Sequence, residues 1–328
     1  MNVKNNVTLV TGGAGFIGSN YLYKLYEKDP TQTVICLDAL TYASNYNYIL
    51  PLINNGFVEF YEVDISNAPV LDGIFYHLAT KYDIENIVHF AAESHVDNSI
   101  KNIEPFIKTN IHGTINLLNT CLKNPNFKKF IHVSTDEVYG SLGLDEDRSF
   151  VETSHYETNS PYSASKAASD CFVRAFYKTY GVPAVITNCS NNYGPNQHEE
   201  KLIPTILRNA LANKPIPVYG DGLNIRDWLY VEDHCIGIDL ALQKGVNGER
   251  YNIGGGVEIP NIVLVKKILD ALDKPHSLIN YVTDRVGHDL RYSIDCTKIK
   301  TDLGYEATHT LEVGLEKTIK WYINNPTT

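Results

Sequence analysis

The chain has 328 residues, of which 43% are hydrophobic and 20% charged, with a formal net charge of -10 at pH 7. This composition excludes a mainly disordered chain, because there is enough apolar surface to bury. No apolar run approaches the roughly 18 residues of a transmembrane helix, and the acidic balance argues against nucleic acid as the main partner.

The cysteines and the N-terminal segment bear on location and metal binding. The six cysteines form no C-x-x-C pair and no cluster with histidine at zinc spacing. We therefore expect no metal site and reduced thiols, as in a cytoplasmic protein. The N-terminal segment has no secretory pattern and leads directly into a strand-like run.

The first 190 residues alternate short β-branched runs with helix-like stretches. This alternation indicates βαβ units, and hence a Rossmann-like, doubly wound parallel α/β sheet with helices on both faces. The predicted strands are 7–10, 33–37, 58–61, 87–90, 130–134 and 184–188. The predicted helices are 16–28, 68–81, 104–123 and 161–180.

The alternation of strand-like and helix-like runs becomes less regular after Asn191, where prolines and loops interrupt the chain more often. Helix-like stretches remain at 202–212, 231–244, 261–272 and 310–324. We expect a large domain over 1–190, rejoined by about 231–254, and a smaller C-terminal lobe formed mainly by 191–328.

Three glycines join the first predicted strand to the first predicted helix in the spacing G-x-x-G-x-x-G. Gly12 allows a tight turn, Gly15 lets a pyrophosphate approach the backbone, and Gly18 lets the helix pack on the strand. The helix N-terminus offers free N–H groups and a positive dipole end to phosphates. The pattern predicts a dinucleotide site; a simple tight turn is the alternative.

Asp38 ends the second predicted strand, twenty residues after Gly18. A carboxylate there can accept the adenosine ribose hydroxyls and repels a 2′-phosphate. No Arg or Lys follows at 39–41, so the sequence favours NAD over NADP. A plain turn residue is the alternative. Asp64, at the end of the third strand, is expected to meet the adenine ring.

Tyr162 and Lys166 are four residues apart and so share a face of the helix that Ser160 caps and Pro161 begins. A nearby ammonium and a cationic nicotinamide would each favour the phenolate of Tyr162. It could then take a proton from a substrate hydroxyl while hydride leaves the same carbon. Chance spacing is the alternative. Apolar residues at 164, 167, 168, 171, 172, 175 and 176 predict the buried stripe of this helix.

These motifs resemble the extended short-chain dehydrogenases/reductases, a family of NAD-dependent epimerases and dehydratases that act on nucleotide sugars. The resemblance covers essentially the whole chain and includes Ala91 and Ala92 after the fourth strand and Asn110 in the following helix. It implies an NAD-binding first domain, a sugar-nucleotide-binding lobe and tightly bound NAD that is recycled in each turnover. It also implies a homodimer through a four-helix interface built by 104–123 and 161–180. The cofactor contacts that it implies are Gly12, Gly15, Phe16, Ile17, Gly18, Asp38, Asp64, Ile65, Ala91, Ala92, Thr109, Tyr162, Lys166 and Asn188.

Thr135, Asp136 and Glu137 follow the fifth predicted strand, whose carboxyl end should face the ligand. Two adjacent carboxyl groups can divide acid and base roles between them, although solvated loop charges are the alternative. The triplet resembles the dehydratase members of the family, whereas epimerases carry small residues there.

The resemblance implies a hydro-lyase of deoxysugar (rhamnose-type) biosynthesis, converting dTDP-glucose to dTDP-4-keto-6-deoxyglucose. Such an enzyme oxidises C4, eliminates water across C5 and C6, and returns hydride to C6. By resemblance, Glu137 is the base at C5 and Asp136 the acid at C6, while Thr135 assists Tyr162 at the C4 oxygen, with Lys166 beside it.

The same resemblance implies a sugar-nucleotide pocket. Arg226 is the best single candidate for the diphosphate, because a guanidinium recognises phosphate in a planar, bidentate way. Segment 196–199 departs from the family pattern and leaves contacts there open. The implied substrate contacts are Glu93, Ser94, Thr135, Asn191, Lys201, Leu202, Pro217, Tyr219, Arg226, Asn261, Arg285, His288 and Tyr292.

Two other functions stay open at this stage. One is an NAD-dependent epimerase or decarboxylase of the same family, against which the triplet argues. The other is a non-catalytic NAD-sensing protein, which has no need of Tyr162, Lys166 or paired carboxyl groups. The residues also leave dTDP unresolved from UDP, CDP and GDP, since base specificity rests on a few loop contacts.

Overall fold

A seven-stranded parallel sheet lies at the centre of the computed structural model, which describes residues 4–325. Residues 1–3, part of the segment considered above for an export signal, lie outside the described residues. The strands are β1 (Asn5–Thr11), β2 (Val34–Asp38), β3 (Val58–Glu62), β4 (Tyr82–His89), β5 (Lys129–Thr135), β6 (Ala184–Cys189), β7 (Asn191–Tyr193), β8 (Ile216–Tyr219), β9 (Ile225–Tyr230), β10 (Arg250–Ile253), β11 (Glu258–Pro260) and β12 (Ile279–Val282).

The large sheet has the order β10-β6-β5-β4-β1-β2-β3, which confirms the predicted doubly wound α/β class. The helices are α1 (Phe16–Lys28), α2 (Leu50–Asn54), α3 (Ala68–Lys81), α4 (Val96–Lys101), α5 (Glu104–Phe106), α6 (Thr114–Leu122), α7 (Pro161–Tyr180), α8 (Leu202–Leu211), α9 (Val231–Lys244), α10 (Asn261–Ala271), α11 (Thr297–Leu303) and α12 (Leu311–Asn324).

Two elements differ from the sequence prediction. β4 begins at Tyr82, five residues before the predicted start. The predicted helix 104–123 is interrupted, because a π-helical segment, Ile107–Gly113, separates α5 from α6. Hydrophobic periodicity cannot show such a segment, since it adds one residue to a turn without changing composition.

Helices cover both faces of the large sheet because its strands are buried on both sides. On β1, Val10 packs in one hydrophobic cluster and Leu9 in the opposite one, as alternating side chains require. α1, α9 and α11 contribute to the first cluster, and α3, α6 and α7 to the second. The sheet is therefore the rigid base from which the loops at its carboxyl edge emerge.

The C-terminal lobe contains two small sheets, β11-β9-β7 and β12-β8. A third hydrophobic cluster joins them to α8, α10 and α12. β10 returns to the large sheet and pairs in parallel with β6, with Arg250 opposite Ile186. The domain boundaries stay a prediction. No helix within residues 4–325 is both long and apolar enough to cross a membrane.

α7 begins as predicted but buries a different face. The Ser160 hydroxyl accepts from the Ser163 N–H at 3.0 Å and caps the helix. The predicted buried stripe is wrong at Ala164, Cys171, Phe172 and Ala175, which are exposed, whereas Ala167 and Ala168 are partly buried and Phe176 is buried. Hydrophobicity could not show that polar side chains of the opposite face have partners in the sheet. The buried residues are Tyr162, Ser163, Ser165, Lys166, Ser169, Asp170, Val173 and Phe176.

Candidate active site

Two adjoining cavities open at the carboxyl edge of the large sheet. The first runs from the glycine loop past Asp38 to Thr135 and Tyr162. The second continues into the C-terminal lobe and reaches Arg226 and Tyr292. This arrangement suits a ligand that spans both domains, with its reacting part at the junction. Residues that line both cavities are Ser94, Glu137, Asn191, Glu200 and Lys201.

The glycine loop has the geometry of a dinucleotide cradle. Gly12 has φ of +70°, and a Cβ there would lie 2.6 Å from the backbone nitrogen of Ala91. A Cβ at Gly18 would collide with the carbonyl oxygen of Gly12. Gly15 precedes the first residue of α1 and faces the cavity. The backbone can therefore approach a phosphate closely, at the N-terminus of a helix.

Asp38 is held at the end of β2 by three protein donors. The Ala14 N–H donates to Oδ2 at 2.9 Å, while the Leu40 N–H and the Ser44 hydroxyl donate to Oδ1 at 2.9 and 2.8 Å. The carboxylate is thus fixed in the first cavity. About one of its four acceptor positions is left for a ribose hydroxyl, which is fewer than the sequence suggested.

The first cavity collects nearly all of the predicted cofactor contacts. Asn188 is the exception: it is fully buried, and its side-chain amide donates to the Thr135 carbonyl at 3.0 Å. Its place is beneath the cavity rather than on its wall. The predicted contacts that line the cavity are Gly12, Gly15, Phe16, Ile17, Gly18, Asp38, Asp64, Ile65, Ala91, Ala92, Thr109, Tyr162 and Lys166.

Tyr162 and Lys166 both face the first cavity from α7. The Lys166 ammonium donates to the Val133 carbonyl at 2.9 Å. Burial, and then the charge of Glu137, raise the pKa of Tyr162 well above its usual value. The protein alone therefore does not favour the phenolate, and a cationic nicotinamide ring is the charge that would offset burial.

The Thr135-Asp136-Glu137 triplet is held at the end of β5 by a short 3-10 turn, Asp136–Tyr139. The Thr135 hydroxyl oxygen accepts from the Glu137 N–H and lies 3.3 Å from Asp136 Oδ1. Asp136 is 2% exposed, so the solvated-loop alternative is wrong for it. Both carboxyl groups line the first cavity together with Tyr162.

The two carboxyl groups have different electrostatic surroundings. Burial, Glu137 and Asp227 raise the pKa of Asp136 well above its ordinary value. Burial also raises the pKa of Glu137, but Lys201 and Arg285 oppose that rise. Asp136 is therefore the better placed to stay protonated, and Glu137 to ionise.

The second cavity contains the predicted arginines, Arg226 and Arg285, which have different hydrogen-bond and ion-pair partners. Arg226 Nη1 and Nη2 donate to the carbonyls of Ile225 and Asp289 at 2.7 and 2.9 Å, which leaves fewer N–H groups for a phosphate. Arg285 Nη1 lies 3.6 Å from Asp97 Oδ1, and its buried Nε has no partner. The predicted residues here are Ser94, Asn191, Lys201, Leu202, Pro217, Tyr219, Arg226, Asn261, Arg285, His288 and Tyr292; Glu93 and Thr135 line the first cavity.

Several lining residues were missed from the sequence. Thr41 and Ser44 follow Asp38 in a loop without a recognisable motif, and Glu200 precedes Lys201. The atypical segment 196–199 brings His198 to the first cavity, where its ring lies 5.6 Å from that of Tyr42. The departure from the family pattern at His198 was the one available signal.

The chain is similar to proteins of known activity along nearly its whole length. A family model described as GDP-mannose 4,6 dehydratase matches residues 9–318. A dTDP-glucose 4,6-dehydratase from Xanthomonas campestris pv. campestris (strain B100) is 48% identical, over 97% of this chain and 93% of the relative. Another, from Neisseria meningitidis serogroup B, is 47% identical over 97% and 94%.

Solved structures give the same picture. The crystal structure of DesIV, a dTDP-glucose 4,6-dehydratase from Streptomyces venezuelae with NAD and TYD bound, matches with a TM-score of 0.91 and 46% identity, covering 97% of each chain. A UDP-glucose 4-epimerase from Thermotoga maritima matches with a TM-score of 0.88 but 30% identity, over 98% of this chain and 99% of the epimerase. The fold is thus shared with epimerases, whereas sequence similarity is greater to the dehydratase.

Proposed function

Because the chain belongs to the GDP-mannose 4,6 dehydratase family, we propose that it dehydrates dTDP-glucose to dTDP-4-keto-6-deoxyglucose. The activity named for its relatives supports this function. The observation that carries it is the buried Asp136 beside Glu137, in the same cavity as Tyr162 and at the junction with the second cavity. An epimerase has no use for this carboxyl pair, because it eliminates no water.

The cofactor is NAD, as in the neighbouring crystal structures. The glycine cradle fits its pyrophosphate, and the fixed carboxylate of Asp38 fits a ribose without a 2′-phosphate. When bound, NAD supplies the redox chemistry, accepting hydride from C4 and returning it to C6. The residues described next handle protons and position the sugar.

Tyr162 acts as the base at the C4 hydroxyl in the proposed mechanism. Its phenol lines the cavity with Thr135, whose hydroxyl hydrogen-bonds to the same C4 oxygen. Lys166 contributes a buried positive charge one helical turn away. A phenol so deeply buried gives up its proton only when positive charge faces it, which assigns the ammonium an electrostatic role.

Asp136 and Glu137 carry out the elimination in the proposed mechanism. A ketone at C4 acidifies the C5 proton, which Glu137 removes. Asp136 protonates the departing C6 hydroxyl. The pKa of both groups is raised, but negative charges add to the rise for Asp136, whereas Lys201 and Arg285 oppose it for Glu137. This difference supports the assignment, because the acid must stay protonated and the base must ionise. The family resemblance alone implied which carboxyl group is the acid and which the base; the different surroundings of the two groups support the same order.

The second cavity holds the nucleoside diphosphate in this proposal. Arg285, Lys201 and Arg226 supply positive charge to this cavity. Pro217 and Tyr219 line the wall where the base is expected. Arg285 has the buried N–H without a protein partner, which supports it as a diphosphate contact at least as strongly as Arg226.

We also propose that the protein is a cytoplasmic homodimer. Ala164, Cys171 and Phe172 form an exposed apolar strip on α7, and Leu122 at the end of α6 is also exposed. A second copy of the same helices would cover this surface. The free state of all six cysteines is consistent with a reducing compartment.

The deciding experiment is product analysis with dTDP-, UDP-, CDP- and GDP-glucose and no added cofactor. We expect a 4-keto-6-deoxy product from dTDP-glucose, protein-bound NAD and no net release of NADH. The matched control is the double variant Asp136→Asn, Glu137→Gln, which keeps the shape of both side chains. A galactose product would favour the epimerase, and no turnover of any sugar would favour the NAD sensor.

A further inference from the structure

A buried carboxylate on α7, that of Asp170, lies outside both cavities and has no role in the reaction as described. Asp170 is one helical turn after Lys166 on α7 and is 1% exposed. It does not line either cavity, so it cannot touch substrate or cofactor. Keeping a charge away from water is costly unless it is paired and hydrogen-bonded.

Polar side chains from three other parts of the chain approach Asp170. The Tyr156 hydroxyl donates to Oδ2 at 2.6 Å, and the Asn188 side-chain amide lies 3.4 Å from the same atom. His132 Nε2 on β5 lies 3.2 Å from Oδ1, but its hydrogen bond is to the Ser169 hydroxyl, so Oδ1 has no hydrogen-bond partner among the described residues. These contacts fix the carboxylate between α7, β5 and β6.

The same contacts lead to the catalytic triplet. The Asn188 amide that approaches Asp170 also donates to the Thr135 carbonyl at 3.0 Å. His132 lies on β5 three residues before Thr135. Asp170 therefore ties α7, which carries Tyr162 and Lys166, to the end of β5, which carries the carboxyl pair.

Asp170 is also the carboxylate one helical turn from Lys166, although the two side chains form no direct ion pair and the ammonium donates to the Val133 carbonyl. The other titratable groups around Lys166 are Tyr162 on α7, His89 on β4, His132 on β5 and Cys189 on β6. Burial lowers the pKa of His132 to about 4 and raises that of Cys189, so both are neutral near pH 7. Within this set of residues, Asp170 is the one carboxylate.

Burial and the charge of the neighbouring group have opposite effects on the pKa of both Lys166 and Asp170. Burial lowers the pKa of Lys166, and Asp170 opposes that shift. Burial would raise the pKa of Asp170, but His132, Lys166 and Tyr156 together hold it below its ordinary value. Each charge thus opposes the effect of burial on the pKa of the other. Tyr139 also faces the carboxylate, and burial raises its pKa, so it is neutral.

We propose that Asp170 is a positioning residue for the oxidation step, keeping Lys166 charged and holding α7 in register with the end of β5. This inference rests on the proposed function, because Lys166 matters to the reaction only if Tyr162 is the C4 base. Asp170 acts entirely through Lys166, His132 and Asn188.

The test compares Asp170→Asn with Tyr156→Phe in the NAD-loaded protein. Asp170→Asn keeps the shape of the side chain and removes its charge, whereas Tyr156→Phe removes a hydrogen bond to the carboxylate and leaves its charge. We expect Asp170→Asn to lower kcat about 10–100-fold, a part of the ~10²–10⁴ that acid–base catalysis supplies. KM should change by less than about twofold, since transition-state rather than ground-state stabilisation is lost.

The pH profile separates a charge effect from general damage. Without the carboxylate, Lys166 loses its proton at lower pH, so the alkaline decline of the Asp170→Asn rate should begin at lower pH. Tyr156→Phe should keep the wild-type profile. A common profile and a similar kcat for both variants would overturn the inference.

A double variant keeps the test open if Asp170→Asn alone does not fold. Combining it with Lys166→Met removes both charges, so the double variant should melt at a higher temperature than Asp170→Asn, because no buried charge is left unpaired. Additive melting shifts would mean that Asp170 acts through packing and would refute the pairing. If the wild type makes no 4-keto-6-deoxy product, the proposed function fails; if it does and Asp170→Asn equals Tyr156→Phe, this inference alone fails.

Discussion

The buried face of α7 is more polar than that of an ordinary surface helix. The inner face carries Lys166 and Asp170 beside Val173 and Phe176, whereas the outer face carries Ala164, Cys171 and Phe172 and is exposed. An amphipathic helix normally buries its apolar stripe. The difference shows that hydrogen bonds as well as apolar packing hold the inner face against the sheet, while the apolar strip on the outer face is left for another surface.

The largest effect should come from the inner face. Tyr162→Phe removes the proposed base and leaves the glycine loop untouched, so activity should fall about 10²–10⁴-fold while NAD stays bound. Product formation and the absorbance of bound cofactor measure the two quantities in one sample. A near wild-type rate would remove Tyr162 from the mechanism.

The carboxyl pair should give the next largest effect and should separate the chemical steps. Glu137→Gln should still oxidise C4 but should exchange solvent deuterium into C5 poorly. Asp136→Asn should stall at elimination and accumulate a 4-keto-glucose intermediate. Each loss should be about 10²-fold or more. Single-turnover absorbance at the NADH band and deuterium content at C5 provide the measurements; wild-type dehydration in both variants would contradict the proposed roles.

A smaller effect is expected from pH. Burial raises the pKa of both carboxyl groups, and that of Asp136 further. The rate should therefore fall at acid pH as Glu137 becomes protonated, above the ordinary range of a glutamate, and at alkaline pH as Asp136 or Lys166 loses its proton. The apparent pKa values of the two carboxyl groups belong to the pair. A kcat profile that lost its acid limb in Glu137→Gln would support this assignment, and an unchanged limb would not.

The outer face should respond in assembly more than in chemistry. Phe172→Glu places a charge in the exposed apolar strip and should convert a dimer to a monomer, with a much smaller loss of activity than Tyr162→Phe. Light scattering at micromolar concentration measures this, and Thr301→Glu on α11 is a control with the same charge change elsewhere. A wild-type protein that is already monomeric would break the comparison between the two faces.

Local spacing explains why much of the fold and the cofactor cradle could be predicted. The turn between β1 and α1 places Gly12 and Gly18, and the end of β2 places Asp38. Residues close in sequence determine this geometry, so it can be predicted from their spacing. The family resemblance is confirmed by the family model and by the relatives. The roles given to individual site residues stay predictions.

Loop conformation and contacts between distant segments explain what could not be predicted. Ser44 bonds to Asp38 from a loop, and His198 reaches the first cavity from the segment that departs from the family pattern. Arg226 donates to the carbonyl of Asp289, which comes near it only in the folded chain. The buried face of α7 was mispredicted for the same reason, because the partners of Asp170 lie on β5, β6 and the 151–160 segment.

The number of residues in the π-helical segment Ile107–Gly113 determines how the following helix is oriented. Asn110 within it bonds to both backbone groups of Glu93, at 2.8 and 3.0 Å, and to the Ser165 hydroxyl at 2.8 Å. Each residue of an α-helix turns the chain by about 100°, so the extra residue of a π turn offsets everything after it by that angle. Deleting one residue here would restore a regular helix but would rotate Leu117 and Leu118 away from the core that they now occupy. In evolution, we expect substitutions in this segment to be tolerated more readily than insertions or deletions.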